Sequence, residues 1–423
     1  MEGSDFVDDI VQDQLPEHTA PSRDQFLPWH RVRKEFIRKY QWNDLTRRMI
    51  ERYWKRELHQ PEDEWTFDES GGEDAAVDIP GNVDLRRTLN CLVIPGSDLL
   101  DLRALWRDIH DLNCPIKYLG FNESQDSNQA DTEVHISNNA VTSLRRVSRV
   151  SRVLRDRFET IALDNSQALR YLKEYGPYHV VNLDLCGSLF PNTDKSPQEY
   201  YDALHKLLAY QFEHQRSEWL LFVTTIVKPS SVDEEHMAKL CSATRENVTE
   251  HSEFADKAKS MFPPEMFANM PSALNLSALT PEQMVRLFGI AFGKWLIKLC
   301  QNATPQWTIA MRKSYSYSIS KDFNATMLSF AFALKPNITP PQDTSGMTSI
   351  ALSARRFPDE RECAAKLLIS VSNIRDVDNL LESEEQLKEA LRDAQADLLG
   401  DAGYDRAAYL EWVSNGEVLA GEN

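Results

Sequence analysis

The stretch that decides the fold of this chain is residues 159–188, ETIALDNSQALRYLKEYGPYHVVNLDLCGS. It begins with a β-rich apolar run over Glu159–Leu163 and continues with apolar residues at helical spacing over Ser166–Glu174. A second short apolar run covers Tyr178–Leu183. Two apolar strands separated by one helix are typical of a parallel α/β sheet, in which both faces of each strand are buried.

An acid follows each of these two predicted strands. Asp164, with Asn165 beside it, follows the first strand, and Asp184 follows the second. Because ligands of parallel α/β sheets bind at the carboxyl ends of the strands, both acids are candidate site residues. The alternative is that each carboxylate caps the N-terminus of the helix that comes next, which is a common and favourable position.

A strand–turn–helix–strand unit precedes this stretch. The predicted first strand is Leu89–Pro95, and the turn after it contains Gly96 and Ser97. The next predicted strand, Ile116–Phe121, is followed closely by Glu123. In Rossmann-like folds such a turn approaches the cofactor, and an acid after the second strand binds the ribose hydroxyls. The sequence therefore predicts a nucleotide-type site at this edge of the sheet.

The end of the second strand in the deciding stretch resembles a known enzyme family. Residues 182–188, NLDLCGS, are similar to the Asp-Leu-Asp-Pro-Phe-Gly-Ser segment of tRNA guanine dimethyltransferases. The order of predicted strands and helices over 89–335 also resembles class I S-adenosylmethionine-dependent methyltransferases. This resemblance implies a doubly wound, Rossmann-like seven-stranded sheet. Its terminal antiparallel hairpin would be formed by Trp307–Ile319 and Ala325–Leu334.

The same resemblance implies a role for each candidate residue. S-adenosylmethionine would be held by the turn residues and by the polar residues that follow the next strands, namely Gly96, Ser97, Glu123, Asp164 and Asn165. Asp184 would accept the hydrogens of an exocyclic amine and orient its lone pair toward the methyl group, which makes it the catalytic candidate.

Two functions remain open at this point. The first is a methyltransferase that acts on or with nucleic acid. The second is a catalytically inert protein of the same fold that serves as an interaction subunit. Two departures from the methyltransferase pattern favour it: the turn contains a single glycine, Gly96, and Leu185-Cys186 stands where the family has proline and an aromatic residue. Residues 29–34, WHRVRK, and 95–103, PGSDLLDLR, also resemble uncharacterised bacterial phage-defence proteins. This resemblance implies that the interaction subunit would belong to a multi-protein antiphage complex.

Composition divides the chain into four parts. Residues 1–22 are acidic, contain two prolines and are predicted to be disordered. Residues 23–88 are predicted to be a basic helical arm and an acidic linker, and residues 89–335 the methyltransferase-like domain. Residues 336–423 are predicted to be an acidic, helical C-terminal region, so helical extensions flank the sheet at both ends.

The two ends carry opposite charge. Arg23–Arg56 has a net charge of +7, from 11 bases and 4 acids, and Asp376–Asn423 has −10, from 3 bases and 13 acids. We expect these ends either to dock on one another or to bind partners, as in a homo-oligomer. The basic arm, or a predicted helix over Arg145–Arg157, would be the place where nucleic acid binds. The alternative is that these are helices with solvated bases.

The overall composition narrows the class of protein. A net charge of −18 over 423 residues argues against nucleic-acid binding by the whole surface. No apolar run approaches the ~20 residues of a membrane span, and the acidic start is unlike a signal peptide, so we expect a cytoplasmic protein that does not contact membranes. Six cysteines without a CxxC pair suit a reducing compartment, and no metal site is expected.

Overall fold

The computed structural model describes residues 25–58, 88–123, 128–185, 187–189, 198–262, 276–319, 326–338 and 356–417, together with residues 345 and 347. The predicted tail over 1–22 and the predicted linker before residue 88 lie outside the described residues, as does Cys186. In the described part of the chain, no helix is long and apolar enough to cross a lipid bilayer.

A mixed β-sheet of nine described strands forms the centre of the molecule. In chain order the strands are β1 Leu89–Val93, β2 Ile116–Phe121, β3 Arg152–Leu154, β4 Val180–Asp184, β5 Trp219–Ile226, β6 Trp307–Met311, β7 Tyr315–Ser318, β8 Thr326–Pro336 and β9 Arg375–Asp376. Their order across the sheet is β3-β2-β1-β4-β5-β8-β7-β9, and β6 also pairs with β8. The first five strands in this order, β3, β2, β1, β4 and β5, are parallel, whereas β8 is antiparallel to β5, β6 and β7.

Helices cover both faces of the sheet. In chain order they are α1 Val32–Ile37, a π-helical segment Arg38–Asn43, α2 Asp44–Leu58, α3 Leu100–Ile109, α4 Asn128–Thr142, α5 Gln167–Tyr175, α6 Gln198–His214, α7 Glu234–Glu250, α8 Ser252–Lys259, α9 Pro281–Asn302, α10 Glu360–Ser372, α11 Val377–Ser383, α12 Glu385–Asp401 and α13 Arg406–Ser414. One core lies between the sheet and α5, α6, α7, α9 and α10. The other lies between the sheet and α1, α2, α3, α11 and α12.

The predicted pairing of the two central strands is confirmed. β4 and β5 are parallel neighbours, with Val180 opposite Leu220 and Asp184 opposite Thr224. Both strands are buried along nearly their whole length, which explains their continuous apolar sequences. The α/β class with a mostly parallel sheet is thus confirmed. The sheet has nine described strands rather than the seven expected, since the predicted strand over 307–319 is divided into β6 and β7 and β9 is an addition.

The third parallel strand is not where the sequence predicted it. Glu159–Leu163 is not a strand, because Phe158–Ala162 forms a 3₁₀ helix. Phe158 and Ile161 lie three residues apart and both pack into the core, which matches the three-residue period of such a helix. The strand at this edge of the sheet is β3, which pairs with β2 in parallel.

The helix predicted over Arg145–Arg157 is also wrong. Helix α4 ends at Thr142, and the chain then turns and enters β3. Arg146 has φ of +67°, which a right-handed helix cannot accommodate. The arginines of this segment therefore lie along the edge of the sheet and not on one helix.

The two charged ends dock on one another within a single chain. The guanidinium of Arg33 pairs with Asp378 and lies 3.0 Å from Oε2 of Glu417. Arg38 donates to the side-chain oxygen of Gln395 at 3.1 Å, which joins the π-helical segment to α12. Residues of both ends share one apolar core with β1, β4 and β5. The ends are thus part of the layer on one face of the sheet, and several of the arm's bases are buried rather than solvated.

Candidate functional site

A cleft of about 430 Å³ opens at the carboxyl ends of β1, β2 and β4. The chain runs from β1 outward to β2 on one side and returns to β4 on the other, so the strand order reverses at β1. The crevice beside such a reversal is the place where open α/β sheets bind ligands. The cleft is therefore the candidate functional site of this fold.

The turn between β1 and α3 forms one wall of the cleft. Gly96 and Ser97, both predicted site residues, line it. Leu99, the residue before α3, has φ of 52° and ψ of 35°, a left-handed conformation that costs a residue with a side chain about 1–2 kcal/mol. Such conformations concentrate at functional sites, where the surrounding structure holds them in place.

Trp29 brings the N-terminal segment to this wall. Its indole nitrogen lies 3.6 Å from the position that a Cβ on Gly96 would take, which is ordinary van der Waals contact. In the described part of the chain this buried nitrogen has no hydrogen-bond acceptor, and Trp29 lines the cleft. A buried donor without an acceptor is unfavourable, so the indole N–H is suited to donate to a ligand.

The acid after β2 lies at the mouth of the cleft. Glu123 lines it, and its Oε2 is 3.5 Å from Nε of Arg157. The neighbouring Asn122 donates from Nδ2 to the carbonyl oxygen of Pro95 at 2.7 Å, which ties the end of β2 to the end of β1. The Glu123 side chain keeps 41% of its exposure, so its carboxylate remains accessible to a ligand.

The structure does not bring Asp164 and Asn165 to the cleft. Both residues are exposed, and the Asp164 carboxylate pairs with Lys206 instead. The acid that follows the true third strand is Asp156, which does line the cleft. Sequence reasoning missed Asp156 because the strand before it was assigned to the wrong residues.

Asp184 lies at the inner end of the cleft and is engaged by a lysine. Its Oδ1 is 2.6 Å from Nζ of Lys34, and the two side chains are 17% and 5% exposed. The ammonium also lies 4.5 Å from the ring centroid of Trp42. Burial lowers the pKa of Lys34, but the charges of Asp184, Tyr317 and Asp101 together outweigh this effect and raise that pKa to about 12. Lys34 is therefore charged at neutral pH, whereas burial raises the pKa of Asp184 and the charge of Lys34 opposes that rise.

A second buried cation, Arg38, fixes the same wall. Its Nε lies 2.8 Å from Oδ1 of Asp101 in the first turn of α3, and its Nη2 donates to the carbonyl oxygen of Trp29 at 3.2 Å. Sequence reasoning missed both Lys34 and Arg38 as site residues. Their i, i+4 spacing, which places them on one helical face, was the available signal.

The lining of the cleft is acidic. Six of its residues are acids and two are bases, Arg38 and Arg157; the acids are Asp98, Asp101, Glu123, Asp156, Glu159 and Asp184. Such a lining disfavours a ligand that carries several phosphates and favours a neutral or cationic one. Among the described residues, no group of three or more His, Cys, Asp or Glu side chains is arranged to hold a metal ion.

The chain matches the PP_RS20740-like family over residues 23–414 and therefore belongs to that family. No curated protein matches the chain. The matched residues include the basic end, the acidic end as far as residue 414 and every residue that lines the cleft.

Proposed function

We propose that this member of the PP_RS20740-like family is a methyltransferase-like protein that binds S-adenosylmethionine, or another adenosine compound without phosphates, in the cleft. The observation that carries the proposal is the position of the cleft at the reversal of strand order between β1 and β4, with Glu123 at the end of β2. The strand order, with five parallel strands followed by an antiparallel one, agrees with the sequence resemblance.

The residues of the cleft fit the parts of such a ligand. Glu123 is placed to accept hydrogen bonds from ribose hydroxyls, as acids after the second strand do in Rossmann-like folds. Gly96 and Ser97 would lie against the amino-acid end, and Trp29 would donate its unpaired indole N–H. Asp156 takes the role that the sequence had assigned to Asp164.

The charge of the lining supports a sulfonium ligand over a nucleotide with phosphates. The excess of acids over bases attracts a cation and repels phosphate groups. The base Arg157 is shared among Glu123, Glu159 and Glu199, so its charge is largely used within the protein.

We infer that binding in this arrangement is not coupled to methylation of an amine through Asp184. Lys34 donates to Oδ1 of Asp184 at 2.6 Å, so this oxygen is already engaged where a substrate amine would need an acceptor. Of the two functions left open by the sequence, this favours an inert protein of methyltransferase type whose cofactor site is kept.

Isothermal titration calorimetry with S-adenosylmethionine and S-adenosylhomocysteine tests the proposal. We expect one site per chain, and we expect Glu123→Gln to weaken binding about tenfold, or ~1.4 kcal/mol. Asp164→Asn is the matched control, since its exposed carboxylate lies outside the cleft, and it should bind as the unmodified protein does. Absence of binding by the folded protein, or equal loss in both variants, would refute the proposal.

A further inference from the structure

The edge of the sheet carries a concentration of positive charge that the cleft does not explain. Six of the thirteen residues from 145 to 157 are arginine, with one acid among them, in a chain whose net charge is −18. We use the term cationic ridge for Arg145, Arg149, Arg152 and Arg170, all of which are exposed. In the described part of the chain, no acid lies within ion-pair distance of these four guanidinium groups.

The cationic ridge follows the edge strand toward the cleft. Arg145 and Arg149 precede β3, and Arg152 begins it. β3 pairs with β2 on its inner side, so its outer side is the edge of the described sheet. Immediately after β3 the chain reaches Asp156 and Arg157, which line the cleft. A linear polyanion on this edge would therefore lie beside the mouth of the cleft.

Two tyrosines of α5 lie close to the cations of this edge. The Arg152 guanidinium lies 4.9 Å from the ring centroid of Tyr171 and 5.7 Å from that of Tyr175, and its Nη1 donates to the Tyr171 hydroxyl at 3.0 Å. Arg170 lies 5.7 Å from the same Tyr171 ring, and Lys117 lies 4.6 Å from the Tyr175 ring. An exposed guanidinium beside an aromatic ring offers planar groups on which a nucleobase can stack.

The simpler explanation is that these arginines only prevent pairing of the edge strand with another chain. Arginines that only prevent such strand pairing need no contact with aromatic rings. Arg157, three residues beyond the strand, shows the alternative arrangement, since it pairs with Glu123, Glu159 and Glu199. The charge of the cationic ridge is therefore available to an external partner.

We propose that the cationic ridge binds single-stranded nucleic acid, with phosphates on Arg145 and Arg149 and a base stacked on Arg152 and Tyr171. Cations along an extended edge match a linear backbone of phosphates, and stacking on exposed planar groups requires unpaired bases. The inference does not depend on which ligand occupies the cleft.

Fluorescence anisotropy with a labelled oligouridine of about 20 nucleotides tests this proposal. We expect log K to fall with log salt concentration at a slope of about −0.7 for each phosphate contacted. The triple variant Arg145→Gln, Arg149→Gln, Arg152→Gln removes two phosphate contacts, so it should flatten the slope by about 1.4 and weaken binding at least tenfold at roughly 50 mM salt. Circular dichroism establishes that the variant is folded.

The matched control changes the net charge equally at exposed bases elsewhere, with Lys239→Gln, Lys388→Gln and Arg406→Gln. It should bind as the unmodified chain does. Tyr171→Leu should weaken oligouridine about tenfold while leaving the salt slope unchanged, because it removes stacking and no charge. The proposal is overturned if the folded chain does not bind oligouridine, if the control loses as much affinity, or if a duplex of the same length binds as tightly.

Discussion

The ammonium of Lys34 lies 2.6 Å from the carboxylate of Asp184, across 150 residues of sequence. One partner comes from the N-terminal helix α1 and the other from the end of the central strand β4. The pair places a basic side chain of the N-terminal segment at the position where the sequence predicted a catalytic acid. The same contact therefore holds the N-terminal helix at the sheet and engages the carboxylate of the candidate site.

Removing one partner of this pair should destabilise the protein strongly. We expect Lys34→Met or Asp184→Leu to lower the free energy of unfolding by about 3–5 kcal/mol, because each leaves a buried charge without its counterion. The double variant should be less destabilised than the sum of the two. Urea denaturation measures this as a double-mutant cycle.

The exposed pair Lys239–Glu235 is the control for that cycle. Its side chains are 64% and 75% exposed, so we expect a coupling of no more than ~0.5 kcal/mol. Additive effects at Lys34 and Asp184, comparable to those of the exposed pair, would mean that the buried contact contributes little.

Stability should depend on pH through Glu35. Burial raises the pKa of this carboxyl from 4.5 to about 7, although Arg38 opposes the rise. Between these pH values the unfolded chain has released the proton and the folded chain retains it, so the free energy of unfolding falls as pH rises, by about 3 kcal/mol in total.

Glu35→Gln should remove most of that pH dependence, because glutamine does not titrate. Thermal unfolding between pH 4.5 and 7 provides the measurement, with Glu389→Gln on an exposed helical surface as the control. If the unmodified chain and Glu35→Gln show the same slope of melting temperature against pH, the assignment to Glu35 is wrong.

The unpaired indole N–H of Trp29 should contribute to ligand affinity. Trp29→Phe keeps an aromatic ring in the wall of the cleft but removes the donor, so we expect binding of S-adenosylhomocysteine to weaken by about 1 kcal/mol. The control is Trp106→Phe, because Trp106 donates to the carbonyl oxygen of Arg145 and does not line the cleft. Equal affinity in the Trp29 variant and the unmodified chain would exclude this contact.

Deleting residues 376–423 should unfold the protein and not release a free arm. The deletion removes α11 and α12, which contribute Val377 and Leu391 to the shared core. It also removes α13 and the two acids that pair with Arg33, Asp378 and Glu417. We expect the truncated chain to lose its cooperative thermal transition or to aggregate. A truncated chain with unchanged melting temperature and sedimentation would show that the two ends do not support one another.

Local sequence signals predicted much of this fold. Ile116–Phe121 forms a strand with the predicted limits, and the Thr280-x-x-Gln283 sequence forms a capping box at the start of α9. The three-residue strand β3 was missed, because so few residues show no periodicity, and the apolar residues after it suggested a strand of their own. The similar Ser383-x-x-Gln386 sequence forms no such box, since α12 begins at Glu385 without a side-chain cap.

The site could be predicted only where it depends on strand ends. Gly96, Ser97, Glu123 and Asp184 meet at the cleft because parallel strands bring their carboxyl ends to one edge. The contact between Lys34 and Asp184 joins residues far apart in sequence, and no local pattern encodes which acid a buried base will meet. The charges of the two ends indicated that they attract one another, but not that they cover one face of the sheet.

The central claim is that the cleft at the end of β1 binds an adenosine compound while Lys34 keeps Asp184 engaged. A crystal structure of the chain grown with S-adenosylhomocysteine tests it most directly. The account predicts ligand density between the Gly96 turn and Glu123, with Nζ of Lys34 still at hydrogen-bond distance from Asp184. An empty cleft at saturating ligand, or ligand density elsewhere on the molecule, would contradict it.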